Sequence, residues 1–409
     1  MKIAYFLHTF PRLHNTFILN EIVQLKEKGN EVYIFSIHKS QDKVVNREVL
    51  SLKDTTFYFE DFLIEHNQYL IRHFFRVVKK LYTHSYFFRR LTAKVLIKSN
   101  RTDIDVAKYH KGFGWKIYAL GLVAKKIQRD EIDIIHAGFA NKPATAAMIL
   151  SGLAGVPFSF EAHAYDLFVD FDFAKEKIEK AKKIFTISNY NKQYLIDHFK
   201  CPPSKIVVNR VPINKNHCDK IPGKPRSDSL ITSVCRLHPT KGLEYAIEAF
   251  KLISQKRQDL RFTIIGGGPL ENQLLEKVAQ ISLGDKVTFL GDISNEDAIR
   301  LISQSTMMVI PSVIAGNGDR DGIPTALIEA MYLKTPVIGS KISGIPELIE
   351  DGINGFLTEP GDVRGIADKM EKLLSDDSLR IAMGEAARRK VDNAFNVETN
   401  CAKLIHAWE

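Results

Sequence analysis

Short β-rich apolar runs alternate with longer helical patterns over most of the sequence, in two series separated by one stretch without apolar periodicity. Parallel strands need a crossover of about a dozen or more residues between them, so this alternation argues for βαβ units and parallel sheets. The first series opens at Ile3–His8, and a helical segment from Thr16 to Lys28 then puts Ile18, Ile22, Val23 and Leu25 on one face. Gly29 ends that helix and Glu31–Ile37 reads as the second strand. After a long helical insertion, strands recur at Ile132–His136, Pro157–Glu161, Lys183–Ser188 and Lys205–Val208.

From Val211 to Ser229 the texture changes: Pro212, Pro222, Gly223 and Pro225 sit among Asn, Lys and Asp, as in a linker. The second series has strands at Leu230–Cys235, Arg261–Ile265, Lys286–Leu290, Met307–Pro311, Pro336–Ser340 and Gly355–Thr358. Its helices begin near Gly242, Leu270, Asn295, Pro324 and Asp362. The expectation is an α/β protein with two doubly wound, Rossmann-like domains. They span residues 1–210, with a helical insertion over about 60–128, and 230–392, joined by 211–229. Ligands of such sheets bind outside the carboxyl ends of the strands, which here are expected to face a shared cleft. The last helix, within 393–409, is amphipathic and either lies on the surface or crosses back to the first domain.

With 409 residues the chain is long enough for two large cores, so neither disulfides nor a structural metal is needed. Cys201, Cys218, Cys235 and Cys401 are widely spaced without zinc-ligand companions and read as reduced thiols of a cytosolic protein. The apolar run at the amino end is short and stops at His8, unlike a signal peptide, and no stretch approaches ~20 uninterrupted apolar residues. The net charge of +9 leaves nucleic acid, an anionic membrane or a phosphorylated ligand open as partners.

Four places carry candidate chemistry. Arg236 and Lys241 stand in the turn between a strand ending at Cys235 and a helix opening near Gly242. Two cations beside a helix amino terminus suit a diphosphate, although an isolated pair of this kind is often solvated surface. A second turn follows the buried run Met307–Ile310: a polar loop with Gly316, Gly318 and Gly322 leads into a helix opening at Pro324. Gly322 permits close backbone approach, and the amides near Thr325 and Ala326 can hold an anion; Gly322, Ile323, Thr325 and Ala326 are therefore candidate ligand contacts. Asp321 and Glu329 frame this helix start and can accept hydroxyl hydrogen bonds from a sugar or ribose, or simply cap and solvate the helix. Third, His163 follows a first-domain strand, where it can meet a sugar hydroxyl or a leaving group, or be structural. Fourth, the turn Thr9–Ile18 lacks the glycines of a dinucleotide fingerprint, and in Gly266-Gly267-Gly268-Pro269-Leu270-Glu271 a glutamate fills the third fingerprint position. A dehydrogenase is disfavoured; a nucleotide can still lie against Gly267 and Gly268.

Arg236…Lys241-Gly242, Gly266–Pro269, Pro311-Ser312 and Gly322…Glu329-Ala330-Met331 occur in the order seen in family 4 retaining glycosyltransferases. Pro336–Ser340, Gly344-Ile345-Pro346-Glu347 and Asp351–Gly355 extend the resemblance over nearly all of residues 230–365. In the first half, Phe10-Pro11…Thr16-Phe17-Ile18…Glu21 and His163-Ala164…Asp166 resemble the exopolysaccharide subgroup of the colanic-acid type, more patchily. The resemblance implies a GT-B fold and metal-independent transfer from a nucleotide diphosphate sugar, with UDP favoured over GDP. By position, Arg236 and Lys241 would hold the diphosphate, Glu329 the ribose, Asp321 the donor sugar and His163 the same sugar from the other domain. Asp321 is one methylene shorter than the usual glutamate, and Val208-Asn209-Arg210-Val211 departs from the Asn-Gly-Val of many members. Asp319-Arg320-Asp321 is a DxD string of the kind that binds metal in another glycosyltransferase fold, but the tandem Rossmann pattern is wrong for that fold, so no metal or other cofactor is expected.

Residues 66–100 contain eight Lys/Arg, no acid, and aromatics at roughly helical spacing. That pattern fits either an interfacial helix on anionic lipid, bringing the enzyme to the inner face of the cytoplasmic membrane, or an ordinary insertion helix. No nucleic-acid module accompanies it, so nucleic acid is not an expected partner. Residues 1–210 hold 33 Lys+Arg against 21 Asp+Glu, and residues 211–409 hold 24 against 27. The basic excess therefore belongs to the half expected to receive the acceptor, a saccharide or lipid-linked saccharide. Another nucleotide-sugar enzyme of this fold, such as an epimerase, and a non-catalytic nucleotide-sugar-binding subunit are the alternatives.

Overall fold

The computed structural model describes residues 1–12, 15–41, 47–59, 61, 119–213, 215–219 and 226–409. The basic stretch 66–100 lies outside the described residues. The chain forms two compact units. The first comprises Met1–Thr186, Tyr194–Val207 and Lys403–Glu409, and the second Ile187–Gln193 and Val208–Ala402.

The first unit is built on a seven-stranded sheet in the order β3-β2-β1-β4-β5-β6-β7. Its strands are β1 (Lys2–Phe10), β2 (Glu31–Lys39), β3 (Thr56–Tyr58), β4 (Ile134–Ala137), β5 (Phe158–Ala162), β6 (Lys183–Thr186) and β7 (Ile206–Val208). β1 pairs in parallel with β2 and β4, in registers such as Ile3↔Val32 and Ile3↔Ile134. Ile3, Ala4, Tyr5, Phe6 and Leu7 are all buried, as expected of a central strand covered on both faces. Strand order reverses between β1 and β4, so the turns following β1, β4 and β5 gather at one end of the sheet.

Helix α1 (Thr16–Glu27) packs its Ile18, Leu19, Ile22 and Leu25 inward. Most of the expected insertion, about 60–128, lies outside the described residues. Ala119–Arg129 is a regular helix, α2, burying Ala119, Leu120, Val123, Ala124 and Ile127, and it forms the crossover into β4. Helix α3 (Lys142–Ala154) is buried nearly all round. At the carboxyl end of the chain, Trp408 packs on His136 and Phe185 and donates from Nε1 to Ser159 Oγ at 2.9 Å.

The second unit carries a six-stranded sheet, β10-β9-β8-β11-β12-β13. Its strands are β8 (Leu230–Val234), β9 (Arg261–Ile265), β10 (Val287–Phe289), β11 (Met307–Ile310), β12 (Val337–Ser340) and β13 (Phe356–Thr358), and all recorded pairings are parallel. Strand order reverses between β8 and β11. Helices α4 (Leu243–Ser254), α5 (Glu271–Gln280), α6 (Asn295–Gln304), α7 (Thr325–Tyr332), α8 (Val363–Ser375) and α9 (Asp377–Ala394) alternate with or follow these strands. Asp362 caps α8 by accepting the Gly365 amide at 2.9 Å. Pro324 stands at the N-cap of α7, with an extended ψ of 124°, rather than in its first turn. Part of the expected linker is folded: Ile213 bridges to Asn396, and Lys215–Asp219 is a short helix with Cys218 buried. No described helix is long and apolar enough to cross a membrane.

Candidate active site

At the switch point of the second unit, three chain segments are held together by backbone approaches that only glycine allows. Gly242 has φ +60°, and a Cβ there would lie 2.1 Å from the carbonyl oxygen of Pro311. Gly266, at φ +121°, would put a Cβ 2.1 Å from the carbonyl oxygen of Cys235, and Gly268 would put one 2.5 Å from that of Leu237. The turn carrying Arg236 is thereby seated on the glycine loop, whose Gly267 amide donates to Asp292 Oδ1 at 2.7 Å. The turn carrying Lys241 is seated on the loop after β11, where the Val313 amide also donates to the Thr240 carbonyl at 2.9 Å. Gly266 and Gly268 thus act first in protein packing; Gly267 keeps its place on the loop surface beside Asp292.

Lys241 ends a short 3₁₀ turn, Pro239–Lys241, and pairs through Nζ with Asp321 Oδ1. The other carboxylate oxygen of Asp321 accepts from Ser312 Oγ at 2.5 Å. Burial alone would lower the Lys241 ammonium, but Asp321, Cys235 and Asp319 outweigh it and hold its pKa above the usual value. Lys241 is therefore a firmly charged, nearly buried cation at the end of β8. Arg236 is exposed and pairs with no described residue. Burial pushes the Cys235 thiol up to about 12, so it is no nucleophile.

Glu329 lies on α7, and burial raises its carboxyl to about 7. The amide of Asn295, from the first turn of α6, donates to Glu329 Oε1 at 3.4 Å. Gly322, Ile323 and Ala326 are buried where the chain enters α7, Thr325 is half-buried, and no side chain caps that helix. Asp321 does not cap it either; its carboxylate goes to Lys241 and Ser312. The DxD pair is likewise split. Asp319 is nearly buried, with His238 Nδ1 3.9 Å away, while Asp321 serves the lysine. Arg210, in the segment that departs from Asn-Gly-Val, donates to Glu347 Oε2 at 2.9 Å. Glu347 also accepts the backbone amides of Asn189 (3.1 Å) and Tyr190 (2.9 Å).

The first unit holds a separate buried ionisable group at the ends of β4 and β5. His163 Nε2 lies 3.1 Å from Glu161 Oε2, and its Nδ1 lies 3.9 Å from Asp166 Oδ2. Phe17 and Phe139 pack on the ring, each with its centroid 5.0 Å away. Burial would lower the imidazole, but Asp166 and Glu161 reverse this and raise it to about 10. Glu21 accepts from Tyr5 Oη at 2.8 Å, and burial, with Glu161 nearby, raises its carboxyl. His136, held through Nδ1 by Ser159 at 2.8 Å, is driven by burial down to about 4. Glu21, His136 and Glu161 bring potential ligand atoms within 4.8 Å of one another, the one such trio among the described residues. Each already has a protein partner: Tyr5, Ser159 and His163, respectively.

The structure thus gathers Arg236, Lys241, Asp321 and Gly266–Gly268 around adjoining turns, with Glu329 on the helix that follows. Ser312, Asn295 and Glu161 had no role in the sequence reading. Ser312 was visible only as part of Pro311-Ser312, and Glu161 only as the residue two before His163.

The profile described as "Glycosyl transferases group 1" matches residues 214–390, and that described as "Glycosyltransferase Family 4" matches residues 14–215. The amylovoran biosynthesis glycosyltransferase AmsK of Erwinia amylovora is 29% identical, covering 100% of this chain and 99% of its own. The putative colanic acid biosynthesis glycosyltransferase WcaL of Escherichia coli K12 is 26% identical, with 100% of both chains covered. Among solved structures, S. aureus TarM superposes with a TM-score of 0.73 at 14% identity, covering 100% of this chain and 99% of that one. Anabaena HepE, solved with UDP and glucose, gives 0.70 at 16% identity, covering 99% and 98%. The chain belongs to the family 4 glycosyltransferases and has their GT-B fold.

Proposed function

We propose that this glycosyltransferase transfers a sugar from a UDP-sugar, with retained anomeric configuration and without a metal, to a saccharide or lipid-linked saccharide acceptor in surface polysaccharide or glycolipid assembly. The observation that carries the reading is the cationic Lys241, fixed by Asp321 at the switch-point end of β8 with Arg236 in the same turn. AmsK and WcaL support the polysaccharide setting, HepE supports UDP, and an E. coli relative named as a galactosyltransferase acting on a diphosphoundecaprenol-linked sugar supports the lipid-linked acceptor.

In this reading the bond from the anomeric carbon to the β-phosphate oxygen breaks, and the acceptor oxygen bonds to that carbon from the same face. The acceptor's proton passes to a phosphate oxygen. Arg236 and Lys241 neutralise the charge that builds on the leaving diphosphate. Asp321 orients Lys241 and the donor sugar, and Gly267, Gly268, Gly322, Ile323, Thr325 and Ala326 border the nucleotide sugar. His163 meets the same sugar. The enzyme works in the cytoplasm, and residues 66–100 bring it to the anionic membrane surface. Loss of cosedimentation with anionic vesicles on neutralising Arg76, Lys79, Lys80, Arg89 and Arg90 supports that placement, and unchanged cosedimentation contradicts it.

The test is a panel of nucleotide sugars with saccharide and polyprenyl-diphosphate-saccharide acceptors, in EDTA, with product linkage read by NMR. Acceptor-dependent UDP release and an α-linked product from an α-donor are expected. An inverted linkage, or activity restored only by manganese, overturns the mechanism.

The ribose role of Glu329 carries its own pH signature. A ribose hydroxyl donating to the carboxylate favours the ionised form, and the free carboxyl sits at about 7. Apparent UDP affinity should therefore rise about tenfold from about pH 6 to about pH 8. In Glu329→Gln that dependence should flatten; an unchanged slope removes Glu329 from the ribose site.

A further inference from the structure

We propose that Glu161 is a positioning residue that holds His163 as an imidazolium, so that the ring offers the donor fixed positive charge and cannot act as a general base. The inference rests on the reading above that His163 meets the donor sugar, and adds which protonation state does so and which residue sets it.

The geometry leaves little freedom. Glu161 is the fourth residue of the buried strand β5 and is itself 5% exposed. Its Oε2 lies 3.1 Å from His163 Nε2, within ion-pair distance of the ring. Asp166 approaches Nδ1 at 3.9 Å and is anchored on both oxygens, accepting the His163 amide at 3.0 Å and the Ala140 amide at 2.6 Å. Phe17 from α1 and Phe139 after β4 prevent the ring from rotating away.

The other ionisable groups facing the site favour the same state. Glu21, from α1, keeps its proton to higher pH because it is buried beside Glu161. His136, from β4, is driven neutral by burial and adds no competing cation. One carboxylate on each side of a desolvated ring outweighs the cost of burying its charge, which raises the imidazole to about 10.

The test uses the full-length enzyme and two readouts: ¹⁵N-imidazole NMR of His163, assigned by its loss in His163→Asn, and kcat against pH. In the wild type, His163 should stay protonated through about pH 8.5 and kcat should show no loss from its deprotonation below that pH. Glu161→Gln keeps the shape but removes the charge. His163 should then titrate near its ordinary value, and kcat should fall roughly fiftyfold from about pH 6.5 to about pH 8.5. Glu161→Asp should keep the wild-type profile. Neutral His163 in the wild type at pH 7.5, or Glu161→Gln lowering kcat equally at every pH with the NMR titration unmoved, overturns the proposal. The reading beneath it fails separately: wild-type turnover in His163→Ala removes His163 from the donor site, whatever its charge.

Discussion

Lys241→Ala should lower kcat about 10³-fold, the scale of losing one preorganised group from a site where charge develops. The side chain is only 16% exposed and its ammonium is already charged and held before any substrate arrives, so no reorganisation is needed at the moment of bond breaking. Arg236 in the same turn cannot replace it, because it is exposed and unanchored. The variant also strands Asp321, 12% exposed, with Ser312 as its remaining described partner, and some stability should be lost with the pair. Lys241→Ala combined with Asp321→Asn separates these effects. The double variant should regain stability in urea unfolding and remain inactive. Recovery of turnover along with stability would make the lysine structural rather than catalytic.

Gly242→Ala should be among the most damaging single-methyl changes in the second unit, costing ~3 kcal/mol: roughly 1–2 for a non-glycine residue in the left-handed region, and a similar amount for the clash. Its Cβ would stand 2.1 Å from a backbone carbonyl that cannot rotate aside, in a residue at φ +60°. The shift has a functional direction too, since separating the turn from Pro311 moves Lys241 away from Ser312 and Asp321. Gly284→Ala is the matched control: a Cβ there meets nothing within 4 Å and the backbone φ is ordinary. Unfolding free energies in urea should fall strongly for the first and stay within about 0.5 kcal/mol of wild type for the second. Equal values would mean that the turn is not seated as described.

The strands were the most legible part of this chain, because parallel strands buried on both faces read as unbroken apolar runs; Ile3–Leu7 and Met307–Ile310 are examples. β3 escaped notice, being three residues long and only half-buried. Ala119–Arg129 falls within the stretch that reads as an insertion, and only its burial against the first core marks it as the crossover to β4. Helix α3 gives a weak period for the opposite reason: with Ala, Met, Ile and Leu on all sides, it has no polar face to contrast.

At the site, residue types and their strand-end positions were readable, and pairings were not. Lys241 and Asp321 are 80 residues apart, so no local pattern joins them. Glu329 and His163 are one carboxylate and one imidazole in the sequence. The environment moves both, burial raising Glu329 and flanking carboxylates raising His163. Pro324 was misplaced by one step because its fixed φ suits the N-cap and the first helical position equally, and its extended ψ selects the cap.

The central claim is that the turns around Lys241 bind a nucleoside diphosphate. Calorimetric titration of uridine, UMP and UDP into the wild type and Lys241→Ala tests it most directly. The account predicts affinity rising in that order for the wild type, with the step from UMP to UDP lost in Lys241→Ala while uridine binding is unchanged. UDP binding no tighter than UMP, or an identical step in both proteins, would contradict it.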